Sequence, residues 1–280
     1  MSSSKEIYSI SKDLKAKAKT IGFVPTMGFL HEGHLSLVRK SKKTCDITIV
    51  SVFINPTQFA PSEDFENYPR DLDKDIKMLE DEKVDFLFLP EGVEIYPGNF
   101  QTFVTVNFIT QKLEGEFRPN HFRGVTTVVL ILFNVVQPDY AFFGQKDAQQ
   151  SAVILQMVKD LKLNIDIVVC PIIRESDGLA LSSRNIYLSP TERKDSLVLF
   201  RSLELGKKII ASGERRVNIV LSNMNELFSN VPSANIDYIK IVEADSFNIV
   251  DEIIEGKEYY ILIACKIGKT RLIDNIRIKV

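Results

Sequence analysis

The sequence is poor in cysteine, and its few thiols are widely spaced. Cys45, Cys170 and Cys265 are the three cysteines among 280 residues, and none lies in a C-x-x-C or Cys/His spacing. This pattern excludes a disulfide framework and a zinc ribbon and is typical of a protein from a reducing compartment. We therefore expect each cysteine to act as a small buried hydrophobe.

Long apolar runs and an excess of one charge are also missing. No run approaches the roughly 18 apolar residues of a membrane helix, and residues 1–6 have no apolar core of a secretory signal. The 35 Lys and Arg residues nearly balance the 37 Asp and Glu residues, for a net charge of −2. No protein-wide field would thus recruit nucleic acid or an anionic membrane. We expect a cytoplasmic protein that binds neither.

Up to about residue 170, short apolar runs alternate with longer amphipathic stretches, which is typical of βαβ units and a parallel sheet. Strands are predicted over 21–24, 46–53, 85–89, 139–143 and 165–169, and helices over 34–43, 72–82 and from Asp147 to about 161. Residues 125–136 fit either type by periodicity, and their length favours a helix. The acidic run from Asp71 to Asp75 is interpreted as a helix start with a solvated face.

The pattern changes after Arg174. A polar loop runs to Pro190, one long helix is predicted over 191–212, and a shorter helix and strands over 236–242, 258–265 and 272–280 follow. This order predicts an α/β fold: a Rossmann-like parallel-sheet domain over residues 1–175 and a smaller C-terminal α+β domain over 176–280.

Two of the three histidines follow the first predicted strand, in the stretch Pro25–His34. His31 and His34 are about one helical turn apart, so both imidazoles can face the same spot at a helix start. A helix N-terminus favours phosphate, and Gly28 and Gly33 let a bulky ligand approach the backbone. The pair predicts a phosphate site for phosphoryl or nucleotidyl transfer, although a pair that only caps and packs stays open.

Other nucleotide and metal motifs are missing. Zinc would need a third ligand beside the two histidines, and neither C-x-x-C nor H-E-x-x-H occurs. Neither G-x-G-x-x-G nor G-x-x-x-x-G-K-[ST] is present, so the sequence predicts neither a dinucleotide fingerprint nor a P-loop.

Further polar segments follow predicted strand ends or lie at the domain junction. They span residues 53–59, 118–124, 143–150 and 176–185. Ligands of open parallel sheets bind beyond the carboxyl ends of the strands. Each segment alone is also typical of a structural loop or a helix cap, but together with the histidine pair they favour one phosphate-handling site.

The segment His31–His34 is similar to the H-x-G-H signature of the nucleotidyltransferase superfamily, and Leu181–Arg184 lies where that superfamily has a mobile phosphate loop. More closely, nearly the whole chain resembles the pantoate–β-alanine ligase family. The stretches that carry this resemblance are 24–28, 55–59, 121–124, 143–147, 177–185 and the tail Arg271–Asn275. The resemblance implies a cytoplasmic enzyme that uses ATP to adenylate (R)-pantoate and then joins it to β-alanine, which yields pantothenate, AMP and pyrophosphate.

The resemblance also implies roles for individual residues. It places ATP along Met27, Gly28, Phe29, Leu30, His31, Glu32, Gly33 and His34, along Gly144, Gln145, Lys146 and Asp147, beside Ile173, and under the loop of Leu181, Ser182, Ser183 and Arg184. The catalytic set would be His31, His34, Lys146, Ser182, Ser183 and Arg184. Substrate residues would be Gln58 and Gln150 for pantoate, with Asn55, Tyr68, Arg118 and His121 as further site positions.

By the same resemblance, residues 1–175 bind nucleotide and pantoate, and residues 176–280 carry the phosphate loop. Mg²⁺ would bind together with ATP, and its protein ligands are unknown. The chain would form a homodimer. Gln145 departs from the family, which commonly has Glu there, and this puts any carboxylate role in question. Because a carboxylate attacks ATP without a proton from the enzyme, we expect His34 to stabilise charge by hydrogen bonding.

Two other functions stay open on the sequence alone. A plain adenylyl- or cytidylyltransferase would share the histidine site, yet it gives no reason for two substrate glutamines. A nucleotide-binding protein without activity would have no need of the intact histidines, Lys146 and the Ser182–Arg184 segment.

Overall fold

The computed structural model describes residues 1–61 and 63–280, and their packing divides the chain into two compact units. The first unit comprises Met1–Gln145 and Gln150–Pro171. The second comprises Lys146–Gln149 and Ile172–Val280. The predicted domain boundary, between residues 175 and 176, lies slightly further along the chain than this division.

The first unit is built on a sheet of five parallel strands in the order β3-β2-β1-β4-β5. The strands are β1 Ile21–Thr26, β2 Ile47–Val52, β3 Phe86–Phe88, β4 Tyr140–Gly144 and β5 Asp166–Cys170. The predicted parallel sheet is therefore confirmed. β1 lies at its centre, between β2 and β4, and the residues after β1 and β2 emerge at the same edge.

The seven helices described in this part of the chain flank the sheet or follow its strands. They are α1 Ser4–Ala16, α2 Glu32–Thr44, α3 Leu72–Asp81, α4 Gly92–Ile95, α5 Glu114–Phe117, α6 His121–Val136 and α7 Ala148–Asp160. The region for which periodicity was ambiguous is a helix, α6, as its length predicts. None of the helices in residues 1–61 and 63–280 has the length and apolar character that crossing a bilayer requires.

Neighbouring residues of the central strands are buried on opposite faces of the sheet. Phe23 and Ile49 pack into one apolar cluster with α1, α6 and α7. Val24 and Val50 pack into another with α2 and α3. Because consecutive side chains of a strand point to opposite faces, burial on both sides requires an unbroken apolar run. This is why the strands were visible in the sequence.

The second unit has an antiparallel sheet in the order β6-β7-β8. Its elements are α8 Pro190–Asp195, α9 Leu197–Ala211, α10 Val217–Glu226, β6 Ala234–Glu243, β7 Glu258–Ile267 and β8 Thr270–Lys279. Apolar residues of α9 and α10, among them Leu203 and Met224, pack against Ile261 and Ile263 of β7. The predicted α+β unit is confirmed.

The prediction of one long helix over 191–212 was wrong, because the helix is interrupted at Ser196. The Ser196 hydroxyl donates to the carbonyl of Arg193 at 2.7 Å, and the Leu199 N–H bonds the carbonyl of Ser196 rather than that of residue 195. A serine that bonds the preceding turn of a helix tightens or bends it. Two helices therefore meet at this buried serine.

The three cysteines are free thiols, as expected. Cys170 and Cys265 are buried and Cys45 is partly buried. Burial raises the pKa of Cys265 to about 12 and the pKa of Cys45 to about 11. Thiols with such pKa values stay protonated near neutral pH and are poor nucleophiles.

Candidate active site

The chain turns sharply after β1, and this turn leads into α2. Gly28 has a φ of +81° and Phe29 a φ of +51°, both in the left-handed region. The Thr26 hydroxyl accepts the N–H of Gly28 at 3.2 Å. A Cβ at residue 28 would lie 2.9 Å from a methyl carbon of Val52. Both the backbone conformation and the available space therefore require glycine at position 28.

A buried carboxylate holds this turn from α3. The two oxygens of Asp75 accept the N–H groups of Phe29 at 2.8 Å and Leu30 at 2.6 Å. Asp75 is 2% exposed, so the interpretation of its side chain as part of a solvated face was wrong. Burial raises the pKa of this carboxyl, while the two N–H groups oppose the rise. The turn lies 45 residues before Asp75, and no local pattern signals such a contact.

The two histidines of the H-x-G-H segment lie in contact, with ring centroids 4.1 Å apart. His31 begins α2 as its N-cap, and its Nδ1 accepts the N–H of Gly33 at 3.1 Å. The Nδ1 of His34 accepts the N–H of His31 at 3.3 Å. Each neutral ring then carries its proton on Nε2. The pair caps the helix and also provides two ring N–H donors at the end that attracts anions.

A second group of side chains follows β2, in the turn that holds Gln58. Asn55 is 1% exposed, and its amide nitrogen donates to the Gln58 side-chain oxygen at 3.0 Å and to the carbonyl of Gly124 at 3.1 Å. Its oxygen accepts from the hydroxyl of Tyr96 at 2.8 Å. The Gln58 amide nitrogen lies 3.2 Å from the sulfur of Met27. Asn55 thus orients Gln58, and Gln58 lies beside the first residue of the predicted ATP segment.

Helix α6 approaches this turn backbone to backbone. A Cβ at Gly124 would lie 2.4 Å from the carbonyl oxygen of Thr57, so a side chain there would push the helix away. One turn earlier, the Nδ1 of His121 lies 2.9 Å from the carbonyl oxygen of Gln58, and its Nε2 lies 3.2 Å from Nη1 of Arg118. A guanidinium can only donate, so Nε2 accepts and the Nδ1–H of His121 donates to Gln58.

Arg118 is itself held by a carboxylate. Its Nε and Nη2 bond the two oxygens of Glu63 at 2.6 and 2.8 Å, and Glu114 lies 3.9 Å away. Burial, with the positive charge of Arg118, lowers the pKa of His121 to about 4, so the ring stays neutral at pH 7. We name Glu63, Arg118, His121 and Gln58 the Gln58 cluster. Arg118, predicted to bind substrate, is engaged by protein partners in this cluster.

Tyr68, another predicted site residue, is buried at 7% exposure in a small aromatic group. Its ring packs edge to face against Phe59, with centroids 5.8 Å apart. Phe59 also packs against Phe65 at 5.3 Å. These contacts make an apolar wall directly after Gln58.

In the second unit, residues 173–181 form a tight hairpin. The N–H of Leu181 bonds the carbonyl of Ile173 at 3.0 Å, so these two predicted nucleotide-binding residues are paired across it. Gly178, in the turn, has a φ of +101°, and a Cβ there would lie 2.1 Å from the ring of Phe200. The turn therefore accepts only glycine.

The predicted phosphate loop follows this hairpin directly. The Ser182 hydroxyl accepts the N–H of Arg184 at 3.3 Å and begins the short 3-10 helix Ser183–Tyr187. The Asn185 amide donates to the carbonyl of Ala180 at 3.1 Å, which ties the loop back to the hairpin. Ser182, Ser183 and Arg184 thus share one ordered turn.

Lys146 lies in a 3-10 turn, Gln145–Asp147, that joins β4 to α7. Its ammonium nitrogen lies 3.7 Å from an oxygen of Asp147, and its side chain is 23% exposed. The carbonyl of Lys146 accepts the side-chain amide of Asn275 at 3.0 Å. The lysine main chain is therefore fixed by the C-terminal strand of the second unit.

The predicted site residues divide between the two units. Met27 to His34, Asn55, Gln58, Tyr68, Arg118, His121, Gly144, Gln145 and Gln150 belong to the first unit, whereas Lys146, Asp147, Ile173 and Leu181 to Arg184 belong to the second. Within the first unit the structure brings Gln58 into contact with Asn55, His121 and Met27. Within the second it pairs Ile173 with Leu181.

The charged residues that support these side chains were not predicted from the sequence. Glu63 and Asp75 carry no local signal, since their partners are distant in the chain. Arg174 bonds Asp274 with both of its terminal nitrogens, at 2.6 and 2.9 Å. The signal for this contact in the sequence is the family stretch Arg271–Asn275, which contains Asp274.

Comparisons with known proteins identify the family of the chain. The profile of the family described as pantoate-beta-alanine ligase matches residues 1–277. Pantothenate synthetase of Caldicellulosiruptor bescii is 55% identical over 271 residues, which cover 97% of this chain and 95% of that protein.

Two solved structures are similar over nearly their whole length. Pantothenate synthetase from Thermus thermophilus has a TM-score of 0.93 at 40% identity, covering 100% of this chain and 99% of that chain. Pantoate-beta-alanine ligase from Francisella tularensis, solved with beta-gamma ATP and beta-alanine, has a TM-score of 0.79 at 36% identity, covering 99% and 96%. The chain therefore belongs to the pantoate–β-alanine ligase family and is an enzyme.

Proposed function

We propose that this protein condenses (R)-pantoate with β-alanine at the expense of ATP, through a pantoyl adenylate, and releases AMP, pyrophosphate and pantothenate. Family membership over residues 1–277 supports the ligase activity. The observation that carries the proposal is the pair of imidazoles in contact, His31 and His34, at the N-terminus of α2. Two ring N–H donors and a helix N-terminus suit the charge that develops on phosphate oxygens during adenylation.

In the first step, a pantoate carboxylate oxygen attacks the α-phosphorus of ATP and pyrophosphate leaves. The attacking oxygen carries no proton, so the enzyme has only to orient the reactants and stabilise charge. We assign the phosphate contacts to His31, His34, Lys146 and the Ser182–Arg184 turn, with Gln58 and Gln150 holding pantoate. Lys146 and Arg184 would offset the charge of the leaving pyrophosphate.

In the second step, the amine of β-alanine attacks the acyl carbon of the adenylate and AMP leaves. A mixed anhydride hydrolyses in water, so the intermediate has to be kept from solvent. The apolar wall of Phe59 and Tyr68, next to Gln58, suits this purpose in the first unit. The Gln58 carbonyl and side chain are both held by neighbours, which fixes the amide for substrate.

Mg²⁺ is proposed as the companion of ATP. No group of three or more His, Cys, Asp and Glu side chains fit for a metal occurs in residues 1–61 and 63–280. Mg²⁺ that accompanies a nucleotide commonly takes most of its ligands from phosphate oxygens and water. When bound, the ion would neutralise phosphate charge.

We also propose a cytoplasmic homodimer, as the family resemblance implies. The apolar side chains of Phe108 and Phe117 are 83% and 43% exposed, which offers surface for a second copy of the chain. Analytical ultracentrifugation would test it, and a single species at the 31.8 kDa monomer mass would contradict it.

The ligase proposal is tested by following AMP and pyrophosphate separately. With ATP and pantoate alone, we expect labelled pyrophosphate to exchange into ATP without net AMP formation. With β-alanine added, AMP and pantothenate should accumulate in equal amounts. A product that retains the nucleotide would instead indicate a transferase, and ATP binding that neither acid affects would indicate a binding protein.

The variant His34→Ala sharpens this test. We expect it to lose turnover while it largely retains ATP binding, because the imidazole is assigned to charge stabilisation rather than to nucleotide affinity. Tyr8→Phe, an exposed change on α1, serves as the matched aromatic control. Unchanged turnover in His34→Ala would remove this histidine from the mechanism.

A further inference from the structure

The C-terminal strand β8 carries two neighbouring buried polar residues to which the proposed mechanism assigns no role. Asp274 and Asn275 are 3% and 2% exposed. Polar side chains this deeply buried need partners, since an unpaired buried group is costly. In the second unit, Asp274 bonds Arg174, next to the predicted nucleotide residue Ile173, and Asn275 bonds the predicted nucleotide residue Lys146.

Asp274 binds the base of the 173–181 hairpin through Arg174. The guanidinium makes a bidentate pair with the Asp274 carboxylate, at 2.6 and 2.9 Å, and donates to the carbonyl of Gly178 at 3.0 Å. It also lies over the ring of Phe200, with its central carbon 4.7 Å from the ring centroid. One arginine therefore fixes both the start and the turn of the hairpin.

Asn275 binds the other predicted ATP segment. Its side-chain amide donates to the carbonyl of Lys146 at 3.0 Å, across 129 residues of sequence. Its own main chain is held twice, since its carbonyl accepts from Arg174 at 3.1 Å and its N–H donates to Asp274 at 2.7 Å. The amide that holds Lys146 is thus attached to the same arginine–aspartate pair that holds the hairpin.

We propose that Asp274 and Asn275 are positioning residues for the phosphates of ATP. Asn275 sets the main chain of Lys146, and Asp274 sets, through Arg174, the hairpin that leads into Leu181–Arg184. This inference rests on the proposed function, in which Lys146 and that loop bind ATP. We name Arg174, Asp274, Asn275 and Lys146 the Lys146 cluster.

The direct test is the equilibrium affinity of the full-length protein for ATP, measured by calorimetry without either acid. Asn275→Asp is close to isosteric, but it replaces the amide donor by a carboxylate oxygen that faces the Lys146 carbonyl. We expect its Kd for ATP to rise about tenfold, as for the loss of one buried hydrogen bond with added repulsion. The Kd for pantoate, whose proposed residues belong to the first unit, should stay within about twofold.

A second variant keeps the test decisive if Asn275→Asp does not fold. Arg174→Lys retains the charge beside Asp274 but loses the planar fork that bonds two oxygens and two carbonyls. We expect its Kd for ATP to rise about threefold or more, again with the pantoate Kd unchanged. Melting temperatures of both variants establish that folded protein is being compared.

Asp237→Asn is the matched control. Asp237 lies in β6 and pairs at 2.7 Å with Arg271 of β8, the strand that carries Asp274 and Asn275. The side chain of Asp237 is 12% exposed. The variant breaks an ion pair of the same sheet that includes none of the residues of the Lys146 cluster, so its Kd for ATP should stay within about twofold of wild type.

The inference is overturned if both variants bind ATP as tightly as wild type, or if Asp237→Asn weakens ATP to the same degree. It is also overturned if the ATP and pantoate affinities fall together, since that indicates general destabilisation. Failure of the proposed function is separate, because it would show in the wild type as missing pantoate-dependent pyrophosphate exchange.

Discussion

The Gln58 cluster in the first unit and the Lys146 cluster in the second use the same arrangement. In each, a neutral side chain donates a hydrogen bond to the main-chain carbonyl of a predicted substrate residue, His121 to Gln58 at 2.9 Å and Asn275 to Lys146 at 3.0 Å. In each, an arginine–carboxylate pair supports that donor. In both clusters the main chain of the predicted site residue is thus fixed by a hydrogen bond from a buried donor.

The two clusters differ in the chemistry of the donor. His121 is titratable and is kept neutral by burial and by Arg118, whereas Asn275 has no proton to gain near neutral pH. The supporting carboxylates also differ, since the side chain of Glu63 is 20% exposed and that of Asp274 is 2% exposed. The Gln58 cluster therefore contains a histidine whose protonation lowers stability, whereas the donor of the Lys146 cluster adds no titratable group.

The largest effect on activity is expected from removing the side chains of Lys146 and Gln58, whose main chains the two clusters hold. Lys146→Met should slow pantoate-dependent pyrophosphate release by about a thousandfold, because a cation aimed at the leaving phosphates is lost. Gln58→Leu should act mainly on the KM for pantoate. Steady-state kinetics with each substrate varied checks this division, with Lys159→Met on the exposed side of α7 as control. A Lys146→Met rate within about tenfold of wild type would contradict the assignment.

The next largest effect is a loss of stability at the two glycines, Gly28 and Gly178, whose turns precede the predicted phosphate segments. Gly178→Ala should destabilise the fold by about 3 kcal/mol, because its Cβ would overlap the Phe200 ring at 2.1 Å in addition to the strain at positive φ. Gly28→Ala should cost about 1–2 kcal/mol, since its Cβ meets a methyl carbon of Val52 at 2.9 Å. Urea denaturation measures both, and the reverse order would show that Phe200 can move aside.

A somewhat smaller loss is expected in the Gln58 cluster. Arg118→Met should lower the free energy of unfolding by about 2 kcal/mol, since the largely buried Glu63 carboxylate is left without its partner. The double variant Arg118→Met/Glu63→Gln should recover part of this loss, because the uncompensated charge is removed. If the double variant is less stable than Arg118→Met alone, the uncompensated charge of Glu63 is not the cause of the lost stability.

The smallest expected effect is a pH dependence of stability that His121 confers on the Gln58 cluster. The pKa of His121 is about 4 in the folded protein, against about 6.5 in an unfolded chain. The unfolded state therefore binds more protons between these values, and stability falls as the pH is lowered through 6.5 toward 4. From pH 7.5 to 5.5, this residue alone should remove about 1.4 kcal/mol.

The variant His121→Asn tests this, since its amide nitrogen can replace the Nδ1 donor but does not titrate. Urea denaturation at the two pH values should show a smaller pH dependence for the variant than for wild type. An equal pH dependence would mean that His121 is not the group responsible. Asn275→Ser, which adds no titratable group, should leave the dependence over this range unaltered relative to wild type.

Much of the fold could be predicted because its determinants are local. The strands of the parallel sheet are buried on both faces, so they stand out as apolar runs, and α6 is long enough to be recognised as a helix. The break at Ser196 could not be predicted, because it depends on the direction of one hydroxyl. The family, the fold and the ligase activity inferred from the motifs are confirmed.

The candidate site was predictable only where its residues are close in sequence. His31 and His34 were expected to face one spot because their spacing is one helical turn, and their rings are in contact. The roles assigned to individual site residues stay predictions. Asp75 was misjudged because alternating charges at a helix start indicate solvent, whereas this one carboxylate faces a distant turn.

The division of the chain places Lys146–Gln149 in the second unit, although residues on both sides of this segment belong to the first. The chain therefore passes between the units three times, after residues 145, 149 and 171. A chimera of two family members joined at residue 171 would take Lys146 from one parent and Asn275 from the other. The units are not interchangeable modules, and a recombination experiment must carry the four-residue insert together with the C-terminal strand.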